Sequence, residues 1–481
     1  MNSAILNSDA AQFRLPRRLA NAGSRAKSSL AQWMAQLSVI TLLCISITAP
    51  GIPLSEDLKI KVEQIMLPVI AVIYLMLLLA GLAKKCRFHT MFIAGALFCF
   101  AVIVSMMYGV GILHHTLILR DYFEIPKAWL PVAFFWFAYE ADLTEESQRR
   151  VLNYFGATIL VMCLIAWLQF IHVPFLFKLD DIYGVPQHNV DALASARRVY
   201  STLGNANVLG QLMSWCVVAF TMASLFRVGN RFFNLTIAFM SLITMVMTGS
   251  RYGLLTTCLG LGMIFLLPSA SRRRNTARLG LLILFLPLFA WMFSAVGQRY
   301  KDTQERFVEL EHPTEVHSVR ERVDDLWLEA AEYITTSPLV GHGPAKILFT
   351  AVYTDSEYLD IMKEYGILGL LPFLALYLLP LYLIWRGIRA GRRAGPLLEP
   401  RMEATYLMLR LGFIVGVTAM VMNIGEFTFY NVELQAAVWI ILGLGARAAK
   451  SIEDAAGLPA RRRASFRRPV NTRIERDFVR P

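Results

Sequence analysis

The sequence predicts an all-α polytopic membrane protein of about twelve transmembrane helices, with a large periplasmic loop that contains amphipathic helices. Three observations lead to this prediction. The chain of 481 residues is 56% hydrophobic and only 17% charged. Its mean hydropathy is +0.49, which means more apolar surface than a soluble fold of this length can bury. The apolar residues also form long runs, and short basic connections separate these runs.

Each apolar run predicts one span, because a helix that crosses a bilayer needs roughly 17–25 residues. The fourth and the twelfth run are the shortest. The predicted spans are residues 31–50, 65–83, 90–109, 125–139, 151–171, 205–225, 232–249, 251–268, 279–296, 366–385, 404–424 and 432–446.

Basic residues orient these spans. Threading the spans in order places every strongly basic connection on the same side as the N-terminus, as the positive-inside bias requires. The tail, residues 447–481, agrees, since it holds nine arginines and one lysine against four acids. We therefore expect a multi-pass protein of the bacterial inner membrane with both termini in the cytoplasm.

The predicted organisation has five parts, and the largest soluble part faces the periplasm. They are a basic cytoplasmic N-terminus at 1–29, transmembrane helices 1–9 within 30–296, a large periplasmic loop at 297–365, transmembrane helices 10–12 within 366–446, and a basic cytoplasmic tail at 447–481.

Composition and motifs exclude several classes of function. The net charge of +12 comes from the connections between spans, so it indicates topology and membrane lipid as a partner rather than nucleic acid. The sequence has no HExxH, no CxxC and no cluster of histidines and cysteines at metal-ligand spacing. We predict neither a metal site nor a cofactor.

The periplasmic loop contains a predicted amphipathic helix at 319–334. Apolar residues including Trp327 share one stripe of the helical wheel, acids occupy the opposite side, and Arg320 and Arg322 flank the stripe. Such a helix is expected to lie on the membrane surface. The two arginines either snorkel to the headgroups or hold a lipid-linked phosphate, and the sequence leaves both readings open.

A second helix is predicted to begin near Thr354. Glu357 follows three residues later, which is the spacing of a capping box, and Asp355 therefore lies at the outer end of a membrane helix. Asp355 is either a helix cap or a general base.

Arginines on the outward side oppose the positive-inside bias. Arg197 and Arg198 precede a polar run, residues 201–207, and Arg251 lies in a tight predicted hairpin between the seventh and eighth spans. Binding of an anionic substrate explains such charges most economically, and contact with lipid headgroups is the alternative.

Three stretches, in this order and at this spacing, resemble the O-antigen ligase and O-antigen polymerase superfamily. The first is Arg-x-x-Ser-Thr-Leu-Gly-Asn-x-Asn at 198–207, and the second is Thr-Gly-Ser-Arg-Tyr-Gly at 248–253. The third runs from Trp327 through Ser-Pro-Leu-Val-Gly-x-Gly-Pro at 337–344 to Glu-Tyr-Leu at 357–359 and Glu-Tyr-Gly-Ile-Leu-Gly at 364–369. The resemblance covers residues 150–385.

The resemblance implies a metal-independent membrane glycosyltransferase of surface-polysaccharide assembly that works at the periplasmic face. It implies a donor of undecaprenyl-pyrophosphate-linked oligosaccharide, and a chain-length regulator and export proteins as further partners. It implies catalytic roles for Arg198 and Arg251 on the pyrophosphate and for Asp355 as the base. Substrate-binding candidates are Arg197, Asn207, Arg320, Arg322, His342 and Glu357.

The acceptor is not defined by these motifs. Ligases typically carry a His-Asn pair where this chain has Asp355-Ser356, and an aspartate is more similar to the exopolysaccharide and O-antigen repeat-unit polymerases. His342 or His317 could substitute as the base. An O-antigen ligase acting on lipid A-core and a protein O-oligosaccharyltransferase remain alternatives, and a polysaccharide flippase or transporter is the competing class.

Overall fold

The computed structural model describes residues 35–53, 59–79, 90–141, 143–183, 185–196, 198–267, 326–350, 354–394, 402–429 and 431–456. Eleven of the twelve predicted spans coincide with a helix in these ranges, and the ninth, 279–296, lies outside them. The helices are α1 (Ala35–Thr48), α2 (Val62–Leu79), α3 (Thr90–Gly111), α4 (Leu119–Tyr122), α5 (Glu124–Glu140), α6 (Glu145–Phe170), α7 (Pro174–Tyr183), α8 (Gln187–Ala196), α9 (Ala206–Phe226), α10 (Arg231–Met247), α11 (Arg251–Leu266), α12 (Trp327–Thr336), α13 (Glu357–Ala394), α14 (Glu403–Met422) and α15 (Val432–Ala455).

The described chain is helical apart from one short hairpin, so the predicted helical fold class is confirmed. Strands β1 (Gly51–Pro53) and β2 (Lys59–Lys61) pair antiparallel, with Ile52 opposite Ile60. Short 3-10 turns occur at Ser201–Leu203 and Leu348–Thr350. The hairpin occupies a connection that the sequence predicted only as a small loop.

The chain is an integral membrane protein. By length and composition, five of the described helices can cross a membrane. On α3, large apolar side chains that recur at helical spacing are exposed, so this face needs lipid as its solvent. They are Ile93, Leu97, Phe100 and Met107. The five spanning candidates are Thr90–Gly111, Glu145–Phe170, Ala206–Phe226, Glu357–Arg393 and Glu403–Met422.

Helix α9 lies at the centre of the bundle. Its most apolar 18-residue stretch is 100% buried, whereas the corresponding stretch of α6 is 44% buried. It packs against α10, α11 and α14, and α15 in turn packs against α14, α13 and α5. This stretch of α9 therefore meets protein on every side, which makes the helix a rigid support for the side chains on its first turn.

Helix α13 is broken at Gly366, where φ is 61° and ψ is −163°. Only glycine adopts such a backbone readily. The break interrupts the helical ladder, and the turn that follows α12 supplies the missing acceptors: Ile367 N–H donates to Pro338 and Leu368 N–H donates to Leu339, both at 3.0 Å. The donors after the break and the carbonyl groups that replace its missing acceptors therefore both belong to the third motif.

Helix ends from distant parts of the chain meet at one end of the bundle, which we call the motif end. The N-termini of α9, α11 and α13 gather there with the C-terminal ends of α10 and α14. At the opposite end, the Glu145 carboxylate accepts the backbone N–H groups of Ala404 and Thr405. Helices α6, α10 and α14 therefore run towards the motif end and α9, α11 and α13 away from it, as threading the predicted spans in order requires.

Two local predictions need correction. The predicted amphipathic helix appears as α12, with Ala330 buried and Glu329 and Glu332 exposed as expected, but its buried side packs on α13. Residues 319–325 lie outside the described ranges. The predicted capping box is wrong, because the N–H of Glu357 donates to the carbonyl of Asn423 at 3.0 Å.

Candidate functional site

The Arg198 side chain joins the first motif to the second. Its Nε donates to the carbonyl of Thr248 at 3.0 Å, and its Nη2 donates to Oδ1 of Asn207 at 2.8 Å. The side chain is half-buried. Two bonds from different nitrogens of a planar guanidinium fix both its position and the orientation of its plane.

Helices α1 and α6 hold the backbone that follows Arg198. Ser201 has a positive φ of 50°, and its N–H donates to Oε1 of Gln169 at 2.8 Å. The Thr202 hydroxyl donates to the carbonyl of Ile47, at the end of α1, at 2.7 Å. Helices α1 and α6 carry no motif of their own, yet they position the segment that presents Arg198.

Asn205 caps α9 and thereby places Asn207 on its first turn. The side chain of Asn205 accepts the N–H groups of Asn207 and Val208, as an N-cap does. Nδ2 of Asn207 donates to Oε1 of Glu426 at 2.7 Å. The first motif therefore contains the N-cap of α9, which fixes the position of Asn207.

The second motif is a tight turn between α10 and α11, as predicted. Gly249 has a φ of 62°, and Ser250 caps α11 by accepting the N–H of Gly253 at 3.1 Å. Gly253 lies directly on the backbone of Gly210 in α9, where a Cβ would stand 2.9 Å from the Gly210 carbonyl oxygen. This close approach brings Arg251, the half-buried first residue of α11, to the motif end beside the first motif.

Glu357, in the third motif, anchors the loop between α14 and α15. Its carboxylate is 0% exposed, and Oε2 accepts the N–H groups of Thr428 and Phe429 at 3.1 and 2.9 Å. We call residues 423–429 the anchored loop. Because the same loop carries Glu426, which holds Asn207, it connects the third motif to the first.

Asp355 lies just before α13, two residues ahead of its first residue, and is half-buried. The neighbouring Thr354 and Ser356 are buried, and the Thr354 hydroxyl lies 2.7 Å from Oδ1 of Asp360. Asp355 is thus near the anchored loop in the chain path, on the same end of the bundle as Arg198.

His342 is buried rather than solvated, with 7% exposure. Its Nε2 lies 2.9 Å from the carbonyl of Tyr333, which can only accept, so Nε2 carries the proton. Nδ1 then accepts from Nε2 of His115 at 3.5 Å. Burial lowers the pKa of His115, and the neighbouring imidazole of His342 lowers it further.

The backbone geometry of residues 337–343, in the third motif, explains why this segment carries two glycines. Gly341 and Gly343 have φ values of 75° and 79°, and the N–H groups of His342 and Gly343 donate to the carbonyls of Lys363 and Glu364. A Cβ at Gly341 would lie 2.5 Å from the Glu364 carbonyl. These glycines therefore serve the close packing of this segment on α13.

The remaining predicted site residues are not all described. Arg197, Arg320, Arg322 and His317 lie outside the described ranges. The structure therefore brings Arg198, Arg251, Asn207 and Glu357 to one end of the bundle. It places Asp355 just before α13 and His342 against Tyr333 of α12.

Comparison with known families fits this arrangement. Residues 236–374 match the family model for O-antigen ligases. This match confirms the predicted relationship to the O-antigen ligase and polymerase superfamily. The curated proteins gave no match. The match indicates surface-polysaccharide assembly by glycosyl transfer and a lipid-linked oligosaccharide as substrate.

The O-antigen ligase-like region, residues 236–374, contains the second and third motifs. The Arg198 segment and the anchored loop lie outside it. Both are nevertheless hydrogen-bonded to it, through Thr248 in one case and Glu357 in the other. The candidate site is therefore built partly from the region that the family model recognises and partly from α9 and the α14–α15 connection.

An ionic cluster that joins the O-antigen ligase-like region to α5 was missed from the sequence. Lys346 Nζ lies 2.6 Å from Oε1 of Glu364 and 3.7 Å from Oε1 of Glu124. Burial lowers the pKa of Lys346, but the charges of Glu364 and Glu124 more than offset this and hold it above its usual value of 10.5. The cluster joins α5 to α13, and only the fold reveals it.

Glu426 was also missed. In the sequence it is one acid in a short predicted loop, and no spacing relates it to Arg198. An acid in a connection of only a few residues between two apolar runs was the available signal, because such a loop has little freedom to turn away from the bundle.

Proposed function

We propose that this protein is a repeat-unit polymerase that extends a surface polysaccharide at the periplasmic face of the bacterial inner membrane. In this reaction a glycan leaves undecaprenyl pyrophosphate and is joined to a hydroxyl group of an acceptor glycan. The observation that carries the proposal is the convergence of Arg198 and Arg251 at the motif end, in an O-antigen ligase-like protein.

The arginines suit the leaving group. When the bond between the anomeric carbon and the phosphate oxygen breaks, the pyrophosphate departs with the electron pair and gains negative charge. A guanidinium stays charged at any physiological pH and binds phosphate oxygens at two points. The charge that grows on the pyrophosphate is therefore stabilised where Arg198 and Arg251 hold it.

The acceptor needs a base. Asp355 is our candidate, since it is half-buried at the motif end and a carboxylate can take the proton of a sugar hydroxyl as its oxygen attacks the anomeric carbon. Both the departure of the pyrophosphate and the removal of the acceptor proton thus use side chains of this protein. His342 is a poorer candidate, because its ring is buried between Tyr333 and His115.

Transfer to lipid A-core is the second candidate function. The family model that matches residues 236–374 is that of O-antigen ligases, and a ligase uses the same donor chemistry with a different acceptor. The aspartate at 355, where the resemblance gives ligases a histidine, favours the polymerase.

Reconstitution separates the two functions. The purified protein in nanodiscs would receive labelled undecaprenyl-pyrophosphate oligosaccharide alone, with lipid A-core, or with an acceptor protein. We expect a ladder of products from the donor alone. A single product that requires lipid A-core would replace the polymerase by the ligase.

Arg198→Ala and Arg251→Ala should each lower turnover by about 10²-fold or more, because a donor aimed at developing charge is lost. Arg386→Ala is the matched control, since Arg386 is a half-exposed arginine at the opposite end that pairs with Glu453 at 3.1 Å. Comparable turnover in Arg198→Ala and the control, with both proteins folded, would remove Arg198 from the site.

A further inference from the structure

The Asn207 amide has one permitted orientation. Its Nδ2 donates to Oε1 of Glu426 at 2.7 Å, and its Oδ1 accepts from Nη2 of Arg198 at 2.8 Å. A carboxylate can only accept and a guanidinium can only donate. Rotating the amide by 180° would break both bonds, so Glu426 and Arg198 are coupled through the polarity of one amide.

Asn207 is also one of the groups that hold the Arg198 guanidinium. Another is the carbonyl of Thr248, which belongs to the turn between α10 and α11. The carbonyl receives Nε and the amide receives Nη2, so losing the amide would remove the hydrogen bond that fixes Nη2 and weaken the hold on the plane of the guanidinium. A fork whose plane is held less firmly loses the two-point geometry that phosphate binding needs.

The anchored loop holds Glu426 in place from several sides. The N–H of Glu426 continues α14 by donating to the carbonyl of Met422 at 2.9 Å. Gly425 lies against the hydroxyl of Tyr252, which would overlap any Cβ there. Beyond Glu426, the Glu357 carboxylate fixes Thr428 and its neighbour. The carboxylate therefore reaches Asn207 from a rigid support.

We propose that Glu426 is a positioning residue: through Asn207 it orients the Arg198 guanidinium for the diphosphate of a polyprenyl carrier. The inference rests on the function proposed above. Glu426 accepts from the Asn207 amide, and the same amide accepts from Arg198, so the amide carries the effect of Glu426 to the guanidinium. That chain of two bonds makes a specific rescue possible.

The first test measures binding of undecaprenyl pyrophosphate, without sugar, to the protein in nanodiscs, with undecaprenol as the reference lipid. Glu426→Ala should raise Kd by about tenfold, as expected when a charged hydrogen-bond partner is removed. Glu426→Gln keeps an acceptor oxygen but loses the charge, so about a threefold rise is expected. Glu146→Ala, an exposed acid at the opposite end, is the control and should bind as the wild type does.

The second test exchanges the polarity of the pair. Asn207→Asp alone places two carboxylates face to face and should weaken binding by about tenfold or more. Adding Glu426→Gln lets the new amide donate to Asp at 207, which can still accept from Arg198. The double variant should therefore bind within a few-fold of the wild type, a recovery that a merely structural role of Glu426 does not predict.

Three results would overturn the proposal. Wild-type affinity in Glu426→Ala, or a double variant no better than Asn207→Asp, would show that Glu426 does not act through Asn207. Near-normal binding with turnover abolished in Glu426→Gln would make Glu426 the base instead. If the wild type itself fails to prefer undecaprenyl pyrophosphate over undecaprenol, the proposed function fails, and this inference with it.

Discussion

At the scale of single residues, three carboxylates at the motif end differ in their surroundings. Glu357 is fully buried and accepts the backbone N–H groups of Thr428 and Phe429, so it stabilises the anchored loop. Glu426 is half-buried and faces an amide. Asp355 is half-buried in a bend before α13. Of the three, Asp355 remains our candidate for proton transfer.

Asp355→Asn tests that role. The amide keeps the size of the side chain but cannot take a proton, so kcat should fall by about 10²- to 10⁴-fold while KM changes little. Steady-state kinetics with labelled undecaprenyl-pyrophosphate oligosaccharide would measure both. A near-normal kcat would leave Asp355 as a residue of the helix start only.

His115 predicts a pH dependence of stability. Because burial and the His342 ring lower the pKa of His115 below 6.5, the folded protein binds this proton less readily than the unfolded chain does. Its contribution to stability is complete above pH 6.5 and is lost as the pH falls through the lowered pKa. In thermal unfolding, Tm should therefore fall on acidification in this range, and His115→Asn should make the fall shallower. Parallel curves for the two proteins would contradict the expectation.

At the scale of elements, the break in α13 is the feature with the clearest energetic consequence. Gly366 has a positive φ, and a Cβ there would overlap the carbonyl of Leu339. The segment that would be displaced also carries His342 and packs α12 on the bundle. The break therefore supports a large part of the third motif.

Gly366→Ala should lower the free energy of unfolding by about 3 kcal/mol or more, since it combines backbone strain with an overlap that the packing cannot relieve. Thermal unfolding in nanodiscs would measure this. Gly262→Ala is the matched control, because Gly262 lies in α11 and a Cβ added there would have no neighbouring atom within 4 Å. The control should be neutral or slightly stabilising. Equal Tm values for both variants would show that the chain tolerates a side chain at the break.

Helices were predictable from the sequence and their irregularities were not. Runs of apolar residues long enough to span a bilayer identify α3, α9 and α14 because lipid requires helix there. Gly366 looked like the start of the tenth span, since the helix before the break is more polar. Glu426 and Lys346 escaped prediction because their partners lie far away in sequence, whereas Arg198 was found because it opposes the charge bias of its own connection.

At the scale of the whole molecule, the alternating direction of the helices predicts two faces. If the motif end is periplasmic, then exposed residues near it and near the opposite end should differ in access to reagents that cannot cross the membrane. Thr335, on α12, and Glu146, at the start of α6, are both exposed and suit this comparison.

Cysteine labelling provides the measurement. In a variant whose six native cysteines are replaced, a membrane-impermeant maleimide added to intact spheroplasts should label Thr335→Cys and leave Glu146→Cys unlabelled until the cells are lysed. The reversed pattern would place Arg198 and Arg251 in the cytoplasm and contradict glycan transfer at the periplasmic face.

The complete enclosure of α9 has a consequence for how the chain is made. Helix α14, which covers one side of α9, leaves the ribosome long after it, so the indole N–H of Trp215 cannot at first reach the Thr418 hydroxyl to which it donates at 3.0 Å. In a nascent chain that ends after α11, this indole N–H therefore lacks its acceptor, because α14 has not yet been made. Synthesis of the C-terminal helices closes the centre of the protein, and chains truncated before them should be recognised by membrane proteases and degraded.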